Sequence, residues 1–418
     1  MKRPKPVKPA NRLSSTPPPP SRHSPSLSRA SSRTIKISLQ STSPPARLKT
    51  RKALAPHFSA PPGEANKNLP SLNGFLASPD FEWTPLNVER SELSLPLTLL
   101  TGQTFRWKQT GPSQFTGVVK SHLFSLKQLD NDVGYFLHFS RTNSLVAEKA
   151  LIDYLNLKIS TKEMWAGFVE ADSRFAALAP HVAGIRVLRQ DPLECLFQFI
   201  CSSNNNIGRI TKMVDHLSSF GSPLGSVGGF DFYEFPSLEE LAHVSEERLR
   251  NAGFGYRIFV VTYTKKHAVY HRARYIAGTV KALLSKPGGG VEWLSSLRKL
   301  ELQEATASLC TLPGIGPKVA ACVALFSLDQ NQAVPVDTHV WQIATRYFLP
   351  ELEGAKLTSK LCQRVSEAFV SKFGKYAGWA QTVLFVSELP MQQALLPSDL
   401  YCKKKSPQRK SSHKKAEG

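Results

Sequence analysis

The chain has 418 residues, 41% of them apolar, which is enough for two packed domains, and no stretch approaches the ~18 to 20 apolar residues that span a bilayer. Its formal charge of +21 sits almost wholly at the ends: residues 1–63 hold 13 Lys/Arg and no Asp or Glu, residues 403–418 hold 7 against one Glu, and 33 basic against 31 acidic residues remain between them. No membrane partner is expected, and a nucleic-acid footprint on the central region has to be a local patch.

Residues 1–63 are rich in Ser, Pro and Lys/Arg, include Pro17 to Pro20, and lack the apolar periodicity that offsets ordering entropy, so a disordered extension over 1–80 is expected. An acid-free, Arg- and Ser-rich start also has the composition of an organelle transit peptide, although its length and prolines argue against a simple amphipathic one. A sheet domain with flanking helices is expected over 81–185. Its signal is the short alternating runs Phe105-Arg-Trp107, Phe115 to Val119, Leu123 to Leu126 and Tyr135 to Phe139, separated by Gly, Pro, Asn and Asp turns and read as antiparallel strands.

Helical signals dominate a second domain over 186–398. Asp191-Pro192-Leu193-Glu194 has the form of an N-cap, a first-turn proline and a capping-box glutamate before an apolar run to Ile200. Ile207, Ile210, Met213, Val214, Leu217 and Phe220 then share one helical face. Further on, Leu302 to Cys310 reads as a helix, Pro313 to Gly316 as a tight turn whose glycines permit φ > 0, and Pro317 as the first position of a second helix. Free N–H groups in that turn and the positive end of the helix suit a DNA phosphate, with Gly314 and Gly316 at the approach and Lys318 one residue inside. Thr338 to Phe348 is a helical run preceded by Asp337 in Val334-Pro335-Val336-Asp337-Thr338-His339. The basic tail over 399–418 contains Lys403-Lys-Lys-Ser-Pro-Gln-Arg-Lys410, the composition of a nuclear localisation signal or of a phosphate-binding tail. Six cysteines at 195, 201, 310, 322, 362 and 402 form no C-x-x-C pair, so no metal, no cofactor and no disulfide framework is expected.

Leu312-Pro-Gly-Ile-Gly-Pro-Lys318 with the downstream Val-Pro-Val-Asp337 resembles the helix–hairpin–helix, Gly/Pro-Asp superfamily of DNA glycosylases. Thr101-Gly-Gln-Thr-Phe-Arg-Trp107, Gln190 to Phe197, Phe199 to Ile207 and Tyr376 to Phe385 resemble, in order, the eukaryotic 8-oxoguanine DNA glycosylase/lyase family over about residues 93 to 390. The resemblance implies an α+β fold, an N-terminal antiparallel β-sheet domain followed by a larger all-helical domain, with the active site in the cleft between them. It also implies a monomeric base-excision enzyme acting on double-stranded DNA that contains oxidised guanine, flipping out the 8-oxoguanine opposite cytosine. It further implies formamidopyrimidine guanine as a second substrate and cleavage of the abasic strand by β-elimination, the alternatives being a superfamily glycosylase for another lesion or a non-catalytic DNA-binding helix–hairpin–helix module. The nucleus is the expected location, with a mitochondrion or another organelle as the alternative.

Site residues follow from the resemblance, each against a blander role. Lys318, by position a solvated first-turn charge, becomes the nucleophile that forms a Schiff base. An amine attacking carbon must be unprotonated, so its pKa is expected below the ordinary ~10.4, by burial and the helix end. Asp337, by position an N-cap, also stabilises an oxocarbenium-like charge. His339 matches a phosphate contact. Gly102, otherwise a turn glycine, offers the carbonyl that tests for the N7 proton present on 8-oxoguanine and absent from guanine. Cys322 and Phe385, otherwise core residues, sandwich the base, and Gln381 reads its Watson–Crick edge. Asn204, Arg209 and Arg257 contact the estranged cytosine, and Tyr256 inserts beside it.

Overall fold

The computed structural model describes residues 82–255, 271–398 and 400. Tyr256, Arg257, the N-terminal extension and most of the basic tail lie outside them.

Five antiparallel strands form one sheet in the order β1-β5-β4-β3-β2: β1 is Thr84–Pro85, β2 Lys108–Gly111, β3 Gln114–Val119, β4 His122–Gln128 and β5 Val133–Ser140. The expected runs starting at Phe115, Leu123 and Tyr135 fall inside β3, β4 and β5. Phe105-Arg-Trp107 does not form a strand; β2 begins only at Lys108. These three residues spend their polar groups elsewhere. The Phe105 N–H donates to Gln198 Oε1 (2.8 Å), the Arg106 guanidinium pairs with Glu194 (2.7 Å), and the Trp107 indole donates to the Tyr154 hydroxyl (2.9 Å). Trp107 also lies flat against Gly117, where a Cβ would stand 2.4 Å from its ring, so β3 needs a glycine there.

Among the described residues the chain is helical beyond the sheet, with one exception inside the region expected to be all-helical. Strands β6 (Pro223–Val227) and β7 (Phe230–Tyr233) make a hairpin whose Leu224, Val227 and Phe232 join Val118 and Leu123 of the sheet in a small apolar core. Gly228 (φ +60°) and Gly229 (φ +80°) occupy its two-residue turn, where positive φ at both positions matches the strand twist.

The main core is built on the Pro192–Ser202 helix, whose residues 192 to 201 are all buried. Asp191 caps it through the N–H groups of Leu193 and Glu194. Glu194 is not a capping-box residue: it is only 5% exposed and turns away from the cap to Arg106, because a buried guanidinium needs a counter-charge more than one exposed N–H needs an acceptor. In the next helix, Ile207–Ser218, the residues Ile210, Met213, Val214 and Leu217 face the core as expected. Ile207 does not; it is 42% exposed at the first turn, and Phe220 lies past the helix end. Three further helices complete the frame of the site, Pro317–Ser327, Thr338–Tyr347 and Ala377–Ser387. Phe199 and Phe326 stack face to face between the first of these and Pro192–Ser202 (centroids 5.5 Å, 12°).

Candidate active site

The hairpin joins Leu302–Cys310 to Pro317–Ser327. Only one of its glycines needs a positive φ: Gly314 stands at +78°, while Gly316 is the helix N-cap at −100°, a value open to any residue. The turn is pinned from behind, since a Cβ on Gly314 would lie 2.3 Å from Tyr275 Cγ and Thr279 Oγ1 donates to the Pro313 carbonyl (2.9 Å). In front of Gly316 nothing stands within 4 Å of where a Cβ would be, and no side chain caps the helix. The first-turn N–H groups are therefore available to an anion, with the helix dipole behind them.

Beside the hairpin is a cavity of about 60 Å³. Its walls come from the segment before β2 (Thr101 to Gln103) and from the helical region, and they unite Gly102, Lys318, Cys322, Asp337, Gln381 and Phe385. Helical spacing explains the pairing, since Lys318 with Cys322 and Gln381 with Phe385 are each four apart on one helix. Gln381 is 5% exposed and is one of the polar side chains lining the cavity. Phe385 is half-buried and Cys322 is buried. Gly102 has φ +92°, and a Cβ there would make only ordinary contact with Ile207 at 3.5 Å, so backbone conformation rather than space calls for glycine.

Lys318 turns its amine inward over the Phe199 ring (5.4 Å to the centroid), and Cys322 lines the same cavity. The expected depression of its pKa is not present in the free enzyme. Burial lowers it, but the interactions with Cys322 and the charge of Asp337 outweigh burial, and the ammonium stands above the ordinary lysine value. Burial also pushes the Cys322 thiol up. Asp337 caps Thr338–Tyr347 with one oxygen only: Oδ1 accepts from the N–H groups of His339 (2.9 Å) and Val340 (3.0 Å). The cap thus occupies one carboxylate oxygen, and Asp337 also lines the cavity.

The remaining expected residues lie around this centre. His339 is exposed and meets Phe385 edge to face (5.9 Å). Asn204 is exposed at φ +47° after the Pro192–Ser202 helix, and its carbonyl accepts from Arg272 (2.9 Å), so it does end a helix. Arg209 donates to the carbonyls of Gly253 and Gly255 (3.2 Å each), the residues leading to Tyr256 and Arg257. Phe199, which cradles the amine, was not foreseen as a site residue. Its only sequence signal was membership of an apolar helix, which marks core equally well.

The protein family described as "8-oxoguanine DNA glycosylase, N-terminal domain" matches residues 85–196, and the "HhH-GPD superfamily base excision DNA repair protein" family matches residues 197–368. The chain is 61% identical to the Arabidopsis thaliana N-glycosylase/DNA lyase OGG1 over 76% of its length and 83% of that protein. It is 32% identical to the Saccharomyces cerevisiae N-glycosylase/DNA lyase over 74% of its length and 87% of that protein. Among solved structures, the Clostridium acetobutylicum 8-oxoguanine glycosylase/lyase, in complex with double-stranded DNA containing cytosine opposite 8-oxoG, superposes with a TM-score of 0.59. That match has 26% identity and covers 72% of this chain and 92% of the other.

Proposed function

The chain belongs to the 8-oxoguanine DNA glycosylase/lyase family of the helix–hairpin–helix Gly/Pro-Asp superfamily, and on that premise we propose that it excises 8-oxoguanine from duplex DNA and cleaves the resulting abasic strand. The observation that carries the reading is the convergence of Lys318, Asp337, Gly102, Cys322, Gln381 and Phe385 on one cavity beside an anion-binding hairpin. A pure phosphate clamp has no use for a buried amine beside a carboxylate, so a non-catalytic module is the weaker reading.

The base leaves the stack and enters the cavity, where Phe385 and Cys322 face its two sides and the Gln381 amide pairs with its Watson–Crick edge. The Gly102 carbonyl accepts the N7 proton of 8-oxoguanine and repels the N7 lone pair of guanine. Positive charge grows on the sugar as the C1′–N9 bond breaks and its electrons leave with the base. Asp337 stabilises that charge, and Lys318, once its proton has left, bonds to C1′. The C1′–O4′ bond of the adduct then breaks as the lysine nitrogen forms the Schiff base, O4′ taking up a proton; loss of a C2′ proton follows, and the 3′ phosphate departs by β-elimination. Formamidopyrimidine guanine, which presents a comparable N–H, is proposed as a second substrate. Cytosine is proposed as the preferred opposite base, read by Asn204, Arg209 and Arg257, with Tyr256 filling the gap and His339 and the hairpin on phosphates.

The enzyme is proposed to act as a monomer. Sodium borohydride treatment during reaction with a duplex containing 8-oxoguanine opposite cytosine should trap a covalent complex, and Lys318→Gln should remove both trapping and base release while keeping lesion binding. A Gln variant that still forms the adduct sinks the assignment. Nuclear residence is proposed from the 403–410 run; a fluorescent fusion found only in mitochondria or another organelle outside the nucleus overturns it.

A further inference from the structure

Gly102 is a soft hinge by itself, since a glycine at φ +92° has neighbouring conformations of similar energy. Its flanks are not soft. Thr101 Oγ1 donates to the Thr98 carbonyl (3.0 Å) on one side. On the other, the Gln103 amide donates to the carbonyls of Thr98 and Arg186 (2.9 Å each) and accepts from the Leu188 N–H (3.0 Å). The Gln103 carbonyl, one peptide beyond Gly102, accepts from Gln190 Nε2 at 2.6 Å. Gln190 Oε1 accepts from Gln198 Nε2 (3.2 Å), which also donates to Glu194 Oε1 (3.1 Å), while Gln198 Oε1 accepts the Phe105 N–H (2.8 Å). Arg106 closes the chain on Glu194. Gln103, Arg106, Gln190, Glu194 and Gln198 are all 5% exposed or less.

A fully buried polar network is an expensive way to hold two pieces of chain together, because apolar residues of the same volume do so equally well. What it adds is direction. Discrimination by a single carbonyl depends on placement to within about 0.5 Å. The branches through Gln190 and Gln198 end on backbone of residues 103–105 and on the ion pair that anchors them.

We infer that Gln190, backed by Gln198 and Glu194, is a specificity-positioning residue: it fixes the Gly102 carbonyl and thereby sets how well the enzyme tells 8-oxoguanine from guanine. This rests on the functional reading above. It assigns none of the bond breaking to these side chains.

The test uses the full chain with Gln190→Met, which removes the donor to the Gln103 carbonyl, and Gln190→Glu, which keeps the shape and the acceptor for Gln198 but turns an oxygen on that carbonyl. Three quantities are measured: excision of 8-oxoguanine opposite cytosine under single turnover, cleavage of a preformed abasic duplex, and the ratio of affinities for lesion and guanine duplexes. Excision and the affinity ratio should each fall by at least about fivefold, the scale of one lost neutral hydrogen bond, with abasic cleavage unchanged. A thermal midpoint near wild type in either variant suffices for the comparison. A wild-type affinity ratio overturns the inference, as does a parallel fall in excision and abasic cleavage, which marks a merely structural role. Wild-type enzyme that leaves 8-oxoguanine in place would condemn the functional reading instead; active wild type with indifferent variants condemns only the network.

Discussion

Alanine at Gly314 and alanine at Gly316 should separate what the fold demands of the hairpin from what DNA demands. At 314 the backbone sits at φ +78°, where a side chain costs roughly 1 to 2 kcal/mol. The new Cβ would also stand 2.3 Å from Tyr275 Cγ and 2.6 Å from its Cβ and Cδ2. Those atoms are at the root of the ring and cannot swing aside, so an overpacking cost of roughly 1 to 3 kcal/mol is added. The total centres on about 3 to 4 kcal/mol, and at roughly 2 °C per kcal/mol for a chain of this size the thermal midpoint should fall by about 7 °C. Gly316 presents the opposite case. Its φ of −100° and empty surroundings accept alanine, and the small loss at an N-cap is offset by a less flexible unfolded chain. The added methyl instead occupies the approach of a phosphate, and the log–log salt dependence of binding to undamaged duplex should lose about 0.9, one contact. Differential scanning and a salt titration on both variants decide it. A wild-type midpoint for Gly314→Ala, or a wild-type slope for Gly316→Ala, refutes the division of labour.

Asp337→Asn keeps a good N-cap but removes one of the influences, with Cys322, that raise the Lys318 amine, so the rise of excision with pH should move to lower pH while its plateau falls severalfold or more; an unshifted profile with an undiminished plateau would show Asp337 to be only a cap. Arg209→Ala should flatten the preference for cytosine over adenine by roughly 1 to 3 kcal/mol, whereas equal losses on both opposite bases would make it a phosphate contact or an anchor for Gly253 and Gly255. Burial raises the Glu92 carboxyl, but hydrogen bonds from Thr161, Lys162 and Ser160 prevail and hold it at about 2 against 4.5 unfolded. Its contribution, about 3 kcal/mol, is therefore complete above pH 4.5 and lost as pH falls toward 2. Glu92→Gln should be less stable than wild type at pH 7, with the gap closing in that window; parallel stability curves would contradict this.

Local signals were the legible ones. The Leu302–Cys310 and Pro317–Ser327 helices, the Asp191 and Asp337 caps and three sheet strands were all readable, because caps, first-turn prolines and period-two alternation act within a few residues. What escaped was set by partners far along the chain. Phe105 to Trp107 alternates like a strand, but its N–H, guanidinium and indole are claimed by Gln198, Glu194 and Tyr154. Glu194 looked like a capping-box residue for the same reason in reverse. The β6–β7 hairpin had its local sign in Gly228-Gly229, yet its strands are short and earn their burial only against Val118 and Leu123, a hundred residues earlier.

The charge on Lys318 shows most plainly where local reading ends. A helix start and burial both favour the neutral amine, and both were visible in the sequence around the residue. The opposing charge sits nineteen residues away at Asp337, and the fold brings its field to the amine. The cavity of the free enzyme thus stabilises an ammonium over Phe199 rather than a ready nucleophile. A base seated in that space would displace water and deepen the burial of Lys318, while a developing positive sugar would compete with the ammonium for Asp337. Both changes push the proton off.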